Sequence, residues 1–243
     1  MPGPEPEVTS VRVSVRLRGG GIEERAWDTV PAAFLQSAAP WRTFRWYEGQ
    51  RHYSGTYWSA TTGDHVIYES RLELARLLFA DFDPSVRGIV AQPFLLTAVV
   101  DGRPCRHIPD YLLTGDDGPV VVDVKPACRL LRPEVERTLG WTRQAVQTRG
   151  WRYEVFHEPS PVVLANIRFL AGYRRFWLLR PGLVEELRGT GLDGMTLGRA
   201  VASVPGHAEE HVRAAVYHLL WNGHVTVDLG RPLSSSQVLR RSS

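Results

Sequence analysis

An α/β fold is predicted for this chain: a mixed sheet flanked by helices, followed by a small helical module that ends in a short β segment. Three observations predict it. Near the start, Val11, Val13, Val15 and Leu17 alternate with Arg12, Ser14, Arg16 and Arg18. Short apolar runs separated by turn residues then fill 88–125, and stretches with helical spacing lie on both sides of them.

Residues 1–10 are rich in Pro and Glu and are expected to be disordered. Alternation over 11–17 predicts a half-buried strand, which Gly19-Gly20-Gly21 ends. Residues 40–60 interleave Trp41, Arg42, Arg45, Trp46, Arg51, Tyr53, Tyr57 and Trp58 in a segment that reads as a loop. Such a segment either packs its rings on the core or stacks on bases and pairs phosphates. From Tyr68 to Phe79 the spacing is helical, with Leu74, Leu77 and Leu78 in one stripe and Asp83-Pro84 as the breaker.

Residues 88–100 read as a strand in which Pro93 implies an edge or a bend. Asp101-Gly102 is a hairpin turn into a strand over 104–113, and Gly115-Asp116-Asp117-Gly118 turns into a very apolar strand over 119–125. Pro133 opens a helix that runs to about Arg149, 151–157 is a further strand, and 162–178 a further helix. After Pro181-Gly182, short helices are expected at 183–188 and 196–203 and a stronger one at 207–221, stopped by Asn222-Gly223. Val225, Val227 and Leu229 alternate like a small strand; three helices with a β wing describe a winged-helix module.

Bulk properties narrow the function classes. The 243 residues suffice for one large domain or two modest ones, and 43% apolar with 23% charged content is ordinary for a globular protein. A net charge of +3 and a wealth of arginine make phosphate-rich partners plausible. Two cysteines, Cys105 and Cys128, cannot form a disulfide framework and suit a reducing compartment; a zinc site built from them and His107 lacks a fourth ligand. The opening Met-Pro-Gly-Pro-Glu-Pro-Glu has no basic-then-apolar pattern of a signal peptide, and no apolar run approaches a membrane span. A cytoplasmic protein, nucleoid-associated when on DNA, is expected.

Lys125 is the only lysine among 29 basic residues, and it stands in Val-Val-Val-Asp-Val-Lys-Pro at 120–126. An ammonium is a compact charge with rotatable protons and a movable pKa, which a guanidinium is not. If 115–118 is a four-residue hairpin loop, Thr114 pairs with Pro119 and the ladder sets Asp110 opposite Asp123. Lys125 lies on the same face as Asp123. Directly opposed carboxylates are destabilising unless neutralised, and a hard divalent ion (Mg²⁺ or Mn²⁺) would neutralise them. The Val124 carbonyl would add a ligand, and the preceding helix would bring Glu73 or Glu69, four residues apart on one face, to the same ion. Lys125 would orient or activate water beside the metal, the arrangement of a phosphodiester hydrolase.

Ile-Pro-Asp followed by Val-Val-Asp-Val-Lys resembles the Pro-Asp…Asp/Glu-x-Lys nucleases of restriction-endonuclease-like fold. More narrowly, 66–126 is similar to the TnsA family of transposon-end endonucleases. The similarity lies in Tyr-Glu-Ser-Arg-Leu-Glu (68–73), Asp-Phe-Asp-Pro-Ser-Val (81–86), Ala-Gln-Pro-Phe (91–94), His-Ile-Pro-Asp-Tyr-Leu-Leu (107–113) and Val-Asp-Val-Lys-Pro (122–126). The resemblance implies a catalytic set of Glu73, Asp110, Asp123 and Lys125; some members have Gln in place of Asp123. It also implies hydrolysis of the 5′ strands at transposon ends, with double-stranded DNA, a DDE-type transposase subunit and an AAA+ ATPase regulator as partners. Residues 1–60 then form an N-terminal extension, 61–179 the nuclease domain and 180–243 the winged-helix domain.

Gln92 is expected near the site or as a backbone cap beside Pro93, and Glu69 or Glu73 as the helix ligand. The histidines, His107 included, read as structural or exposed. Arg42, Arg45, Arg51, Arg168, Arg174 and Arg175 are candidate DNA contacts. Glu209 and Glu210 open the 207–221 helix against a single Arg213, so that module suits a protein partner at least as well as DNA. Two other readings use the same fold: a stand-alone restriction or repair nuclease, and a non-catalytic DNA- or partner-binding adaptor.

Overall fold

The structure, a computed structural model, describes residues 6–42 and 53–242. It divides into two compact units, Met1–Leu77 with Ser85–Glu158 and Leu78–Pro84 with Pro159–Ser243. The elements in chain order are β1 (Val8–Arg16), β2 (Ile22–Ala26), α1 (Ala32–Gln36), β3 (Gly55–Ser59), β4 (Asp64–Tyr68), α2 (Arg71–Phe82), β5 (Val86–Ala91), β6 (Leu95–Val100), β7 (Arg103–His107), β8 (Tyr111–Gly115), β9 (Val120–Val124), α3 (Ala127–Leu130), α4 (Pro133–Gln147) and β10 (Arg152–Phe156). They continue with α5 (Pro161–Leu170), α6 (Pro181–Gly189), α7 (Leu197–Val201), α8 (Glu209–Trp221), β11 (Val225–Thr226) and β12 (Arg240–Arg241).

The architecture is mixed α/β, with several sheets in place of the single sheet expected. One four-stranded sheet runs β2-β1-β6-β7 and a second runs β10-β9-β8-β5; β3-β4 and β11-β12 are two-stranded ribbons. The reason lies at two prolines. The strand expected over 88–100 breaks at Gln92-Pro93, where Gln92 adopts φ 45°, and its halves β5 and β6 enter different sheets. The strand expected over 104–113 breaks in the same way at Ile108-Pro109-Asp110, so β7 joins the first sheet and β8 the second. Proline cannot donate to a ladder, so both breaks fall where a continuous strand would need that donor.

The hairpin register is as expected: Tyr111 faces Val122, Leu112 faces Val121 and Leu113 faces Val120, and the Asp110 N–H donates to the Val122 carbonyl at 3.0 Å. β10 completes the sheet parallel to β9, with Val155 opposite Asp123. β9 thus has neighbours on both edges, which its run of valines suits.

Other boundaries differ from expectation. Val8–Ser10 belong to β1. The expected extension 1–60 is no appendage, because Val13, Val15, Trp27, Val30 and Leu35 pack with Phe94, Leu96, Leu112, Val121 and Trp141 in the main core of the first unit. The supposed loop of 40–60 contains β3, which pairs with β4 through Tyr57↔Val66 and buries Tyr57. β4 reaches Tyr68, so helix α2 starts only at Arg71. The second unit takes in Leu78–Pro84, and its main stretch starts at Pro159, upstream of the boundary expected at 179/180.

Within the second unit, the helix expected over 162–178 ends at Leu170 and continues as two 3₁₀ turns, Ala171–Tyr173 and Phe176–Leu178. α6, α7 and α8 match the expected helices, and Leu183, Val184, Leu187, Val212, Val216 and Leu219 are buried. Only Val225 and Thr226 of the expected 225–229 strand pair, and they pair with Arg241 and Arg240. Buried Asn166 holds the segment between these strands, donating from Nδ2 to the carbonyls of Leu229 and Arg231 at 2.9 and 2.8 Å. Among the described residues, no helix is long and apolar enough to cross a membrane.

Candidate active site

The two proline breaks of the first unit meet. The Gln92 N–H donates to the Asp110 carbonyl at 2.8 Å, and the Trp41 N–H to the Gln92 carbonyl at 3.1 Å. A cavity of about 830 Å³ opens there, bordered by Glu69, Glu73, Gln92, Asp110, Val124 and Lys125 among others. A left-handed φ at a glutamine is uncommon and costs about 1–3 kcal/mol, so the surrounding bonds must hold it in place. They do. The Gln92 side chain accepts from the Arg42 N–H at 2.9 Å and donates to Glu69 Oε1 at 2.7 Å. Gln92 therefore lies at the site and also satisfies backbone, which unites the two expectations for it.

Lys125 follows the end of β9, where its N–H still pairs with the Phe156 carbonyl at 2.9 Å. Its Nζ donates to Asp110 Oδ2 and to the Val124 carbonyl, both at 3.1 Å, and lies 3.8 Å from Asp123 Oδ1. Asp110 Oδ2 also accepts from the Val124 N–H at 2.6 Å. Burial works against the Lys125 ammonium, but attraction by Asp110 and Asp123 outweighs it and lifts its pKa above the ordinary lysine value. The group is a charged donor. Burial, with repulsion from Asp123, lifts the Asp110 pKa in spite of Lys125.

Glu73 sits in the first turn of α2, and Glu69 just precedes the helix. The two do not occupy equivalent positions on one helical face. Ser70 and Glu73 form a variant of the capping box, legible in Ser-x-x-Glu, in which the carboxylate reaches the N–H one residue before the cap. The Glu73 N–H donates to Ser70 Oγ at 3.1 Å, Ser70 Oγ donates to Glu73 Oε1 at 3.0 Å, and the Glu69 N–H donates to Glu73 Oε2 at 2.7 Å. The carboxylate thus has a structural task as well as a place in the cavity wall. Burial and then repulsion from Asp110 push its pKa up to about 7. Glu69 is engaged by Gln92 and, at 3.4 Å, by Arg42.

Asp123 departs from expectation. It shares a β9 face with Val121, a member of the core cluster, so its side chain points inward. It is fully buried and does not border the cavity. His107 Nε2–H donates to Oδ1 at 2.7 Å and the Tyr153 hydroxyl to Oδ2 at 2.5 Å. Burial alone would raise its pKa, but the His107 and Tyr153 hydrogen bonds and the Lys125 charge hold it below the usual aspartate value. Nothing in the spacing of 107, 123 and 153 announces this trio; His107, read above as structural or exposed, is its key member.

Of the three acids expected on one ion, Asp110 and Glu73 border the cavity and Asp123 does not. Among the described residues, no group of three or more His, Cys, Asp or Glu side chains is gathered closely enough to hold a metal ion. Asp110 and Glu73 are the two acids of that set on the cavity wall, and their carboxylate oxygens are the donors a hard cation takes. Mg²⁺ needs no more than one or two protein carboxylates when water and substrate phosphate fill its other positions.

Of the expected DNA contacts, Arg42 is exposed at the cavity rim, and Arg45 and Arg51 lie outside the described residues. Arg168, Arg174 and Arg175 belong to the second unit and not to the unit with the cavity. There Arg168 is exposed, whereas Arg174 and Arg175 are half-buried and Arg174 donates to the Ala171 carbonyl. No protein-family model matches the chain, and no curated protein matches it.

Proposed function

We propose that this protein is a divalent-cation-dependent DNA endonuclease, similar to the TnsA subunits of heteromeric transposases, which hydrolyses the 5′ strands at transposon ends. The observation that carries the reading is the Asp110–Lys125 pair at 3.1 Å, at the end of a central strand and on a cavity that Glu73 also borders. A restriction-endonuclease-like core and a winged-helix second unit are part of the same proposal. The mixed β10-β9-β8-β5 sheet and the three helices with a β ribbon support them.

Hydrolysis adds one water across the P–O3′ bond and leaves a 5′-phosphate and a 3′-hydroxyl. Asp110 and Glu73 would hold Mg²⁺ or Mn²⁺, with the Val124 carbonyl beside them. A bound ion supplies a lowered pKa for water and charge stabilisation on the phosphoryl oxygens. Lys125 keeps its proton, so it donates to a phosphoryl oxygen or to the attacking water and offsets the charge that develops. Gln92 and the capping box fix the backbone on which Asp110 and Glu73 are mounted. The second unit, whose α8 opens with Glu209 and Glu210, suits a protein partner; a DDE-type transposase and an AAA+ ATPase regulator are the partners of this reading.

The test is cleavage of labelled duplexes spanning the ends of the encoding element, with Mg²⁺ or Mn²⁺, with and without the co-encoded transposase and ATPase. Cleavage only in the complete mixture, lost in Asp110→Ala and Lys125→Ala, is expected. Normal cutting by both variants would refute the site. Cutting without partners would favour a stand-alone nuclease, and no cutting by the parent a binding adaptor.

A further inference from the structure

We infer that Asp123 positions Lys125 and does not bind the cation, and that His107 and Tyr153 are the residues that commit it to this role. The inference deepens the cation-dependent reading above and rests on it. A carboxylate can ligate an ion only through lone pairs that reach the space the ion occupies. Asp123 has no exposed surface, is absent from the cavity wall and lies on the core-facing side of β9. Asp110 and Glu73, in contrast, both border the cavity.

Each oxygen of Asp123 also accepts a hydrogen bond from another side chain. Oδ1 accepts from His107 Nε2 at 2.7 Å and Oδ2 from the Tyr153 hydroxyl at 2.5 Å. Both donors are themselves held: the His107 ring meets Trp141 edge-on with centroids 6.4 Å apart, and the Arg143 guanidinium lies 5.6 Å from the centre of the Tyr153 ring. The trio draws on β7, β9 and β10, that is, on both four-stranded sheets. Its result is an immobile negative charge whose Oδ1 is 3.8 Å from Lys125 Nζ.

That distance is too long for a hydrogen bond and short enough for attraction between a fully buried carboxylate and a partly exposed ammonium. It gives Asp123 a use at one moment in particular. A cation bound at Asp110 competes for the oxygen that Lys125 holds at 3.1 Å. The Asp123 charge then remains to keep the ammonium in place beside the phosphate.

Lys125 is the only lysine in the chain, so protein labelled with ¹³Cε-lysine reports its surroundings through a single resonance. In the full chain, Mn²⁺ affinity by calorimetry should fall at least about tenfold in Asp110→Asn and stay at the parental value in Asp123→Asn. Asp123→Asn should nonetheless move the lysine resonance and slow end cleavage, in the reconstituted complex at saturating Mn²⁺ and DNA, by about 10–100-fold. An equal loss of Mn²⁺ affinity in both variants would overturn the inference while leaving the cation reading intact. Absence of Mn²⁺ binding by the parent would remove the reading itself, and the inference with it. Should Asp123→Asn fail to fold, His107 decides the matter. His107→Ala should shift the lysine resonance and slow cleavage, and His107→Gln, which keeps an N–H donor, should restore both. A lysine resonance and rate unaffected by His107→Ala would refute the role.

Discussion

The N–H of Gln92 donates to the carbonyl of Asp110 at 2.8 Å, and this bond joins the two points at which the chain leaves one sheet for the other. Each point is marked by a proline, Pro93 and Pro109. Asp110 owes its position to this junction as much as to the hairpin that follows it. A side chain carried on a continuous strand would face one sheet surface only; at the break, Asp110 reaches both the Val124 N–H and the Lys125 ammonium.

Gln92→Ala removes the acceptor for the Arg42 N–H and the donor to Glu69. Loss of these bonds should cost the first unit about 1–3 kcal/mol, read as a lower urea midpoint with an unchanged slope. Gln92→Gly relieves the φ of 45° but loses the same bonds. It should be less destabilised than Gln92→Ala if backbone strain matters at this position, and no better if only the side chain counts.

Lys125→Arg keeps the charge but not the shape. A planar fork cannot reproduce two 3.1 Å bonds to Asp110 Oδ2 and the Val124 carbonyl from one nitrogen. The variant should remain folded by circular dichroism and lose cleavage by at least about 100-fold, on the scale of removing a preorganised donor. Chelation of the divalent ion should abolish cleavage reversibly without unfolding the chain. Full activity in Lys125→Arg would show that a point charge at this position is dispensable.

His218, in α8, sets a pH dependence for the second unit. Its Nδ1–H donates to the Tyr173 carbonyl at 2.7 Å, and its Nε2 faces the Asn222 amide nitrogen at 2.8 Å, an arrangement that suits the neutral ring. Burial holds its pKa below the ordinary histidine value. A group with a depressed folded pKa contributes stability above its unfolded pKa, about 6.5, and that stability is lost as pH falls through the folded value. Unfolding of this unit, followed by tryptophan fluorescence, should become easier on acidification below that point, and His218→Gln should flatten the profile. An identical slope in parent and variant would exclude His218 as its source.

Asn166 ties α5 to the 229–233 segment through three hydrogen bonds, two from Nδ2 and one at 3.3 Å from the Leu233 N–H to Oδ1. Its side chain is buried, and Asn166→Ala removes the partner of the Leu229 and Arg231 carbonyls and of the Leu233 N–H while leaving a cavity. A loss of about 2–4 kcal/mol is expected, together with faster amide exchange at Leu233. Asn166→Asp keeps an acceptor for Leu233 but opposes two carbonyls with negative charge, and should be at least as damaging.

Much of the fold was legible because it is local. Turn length and apolar alternation determine hairpin register, so Asp110 and Asp123 could be set opposite one another from the spacing of 110–123 alone. Helices α4, α6 and α8 announce themselves by Pro133, by Pro181 and by the stop at Asn222-Gly223. The lone lysine and a bend at Pro93 were visible as well, whereas the break at Pro109 was not. What tertiary structure alone decided is where each half-strand goes, and therefore which way each acid points. Pro93 says that a strand bends, but the choice of sheet on either side of it depends on packing partners as remote as Val13 and Trp27. The inward turn of Asp123 likewise follows from the burial of Val121, and its bonds to His107 and Tyr153 join residues brought close only when the sheets assemble. Periodicity along a chain carries local geometry; burial and long-range pairing are properties of the packed whole.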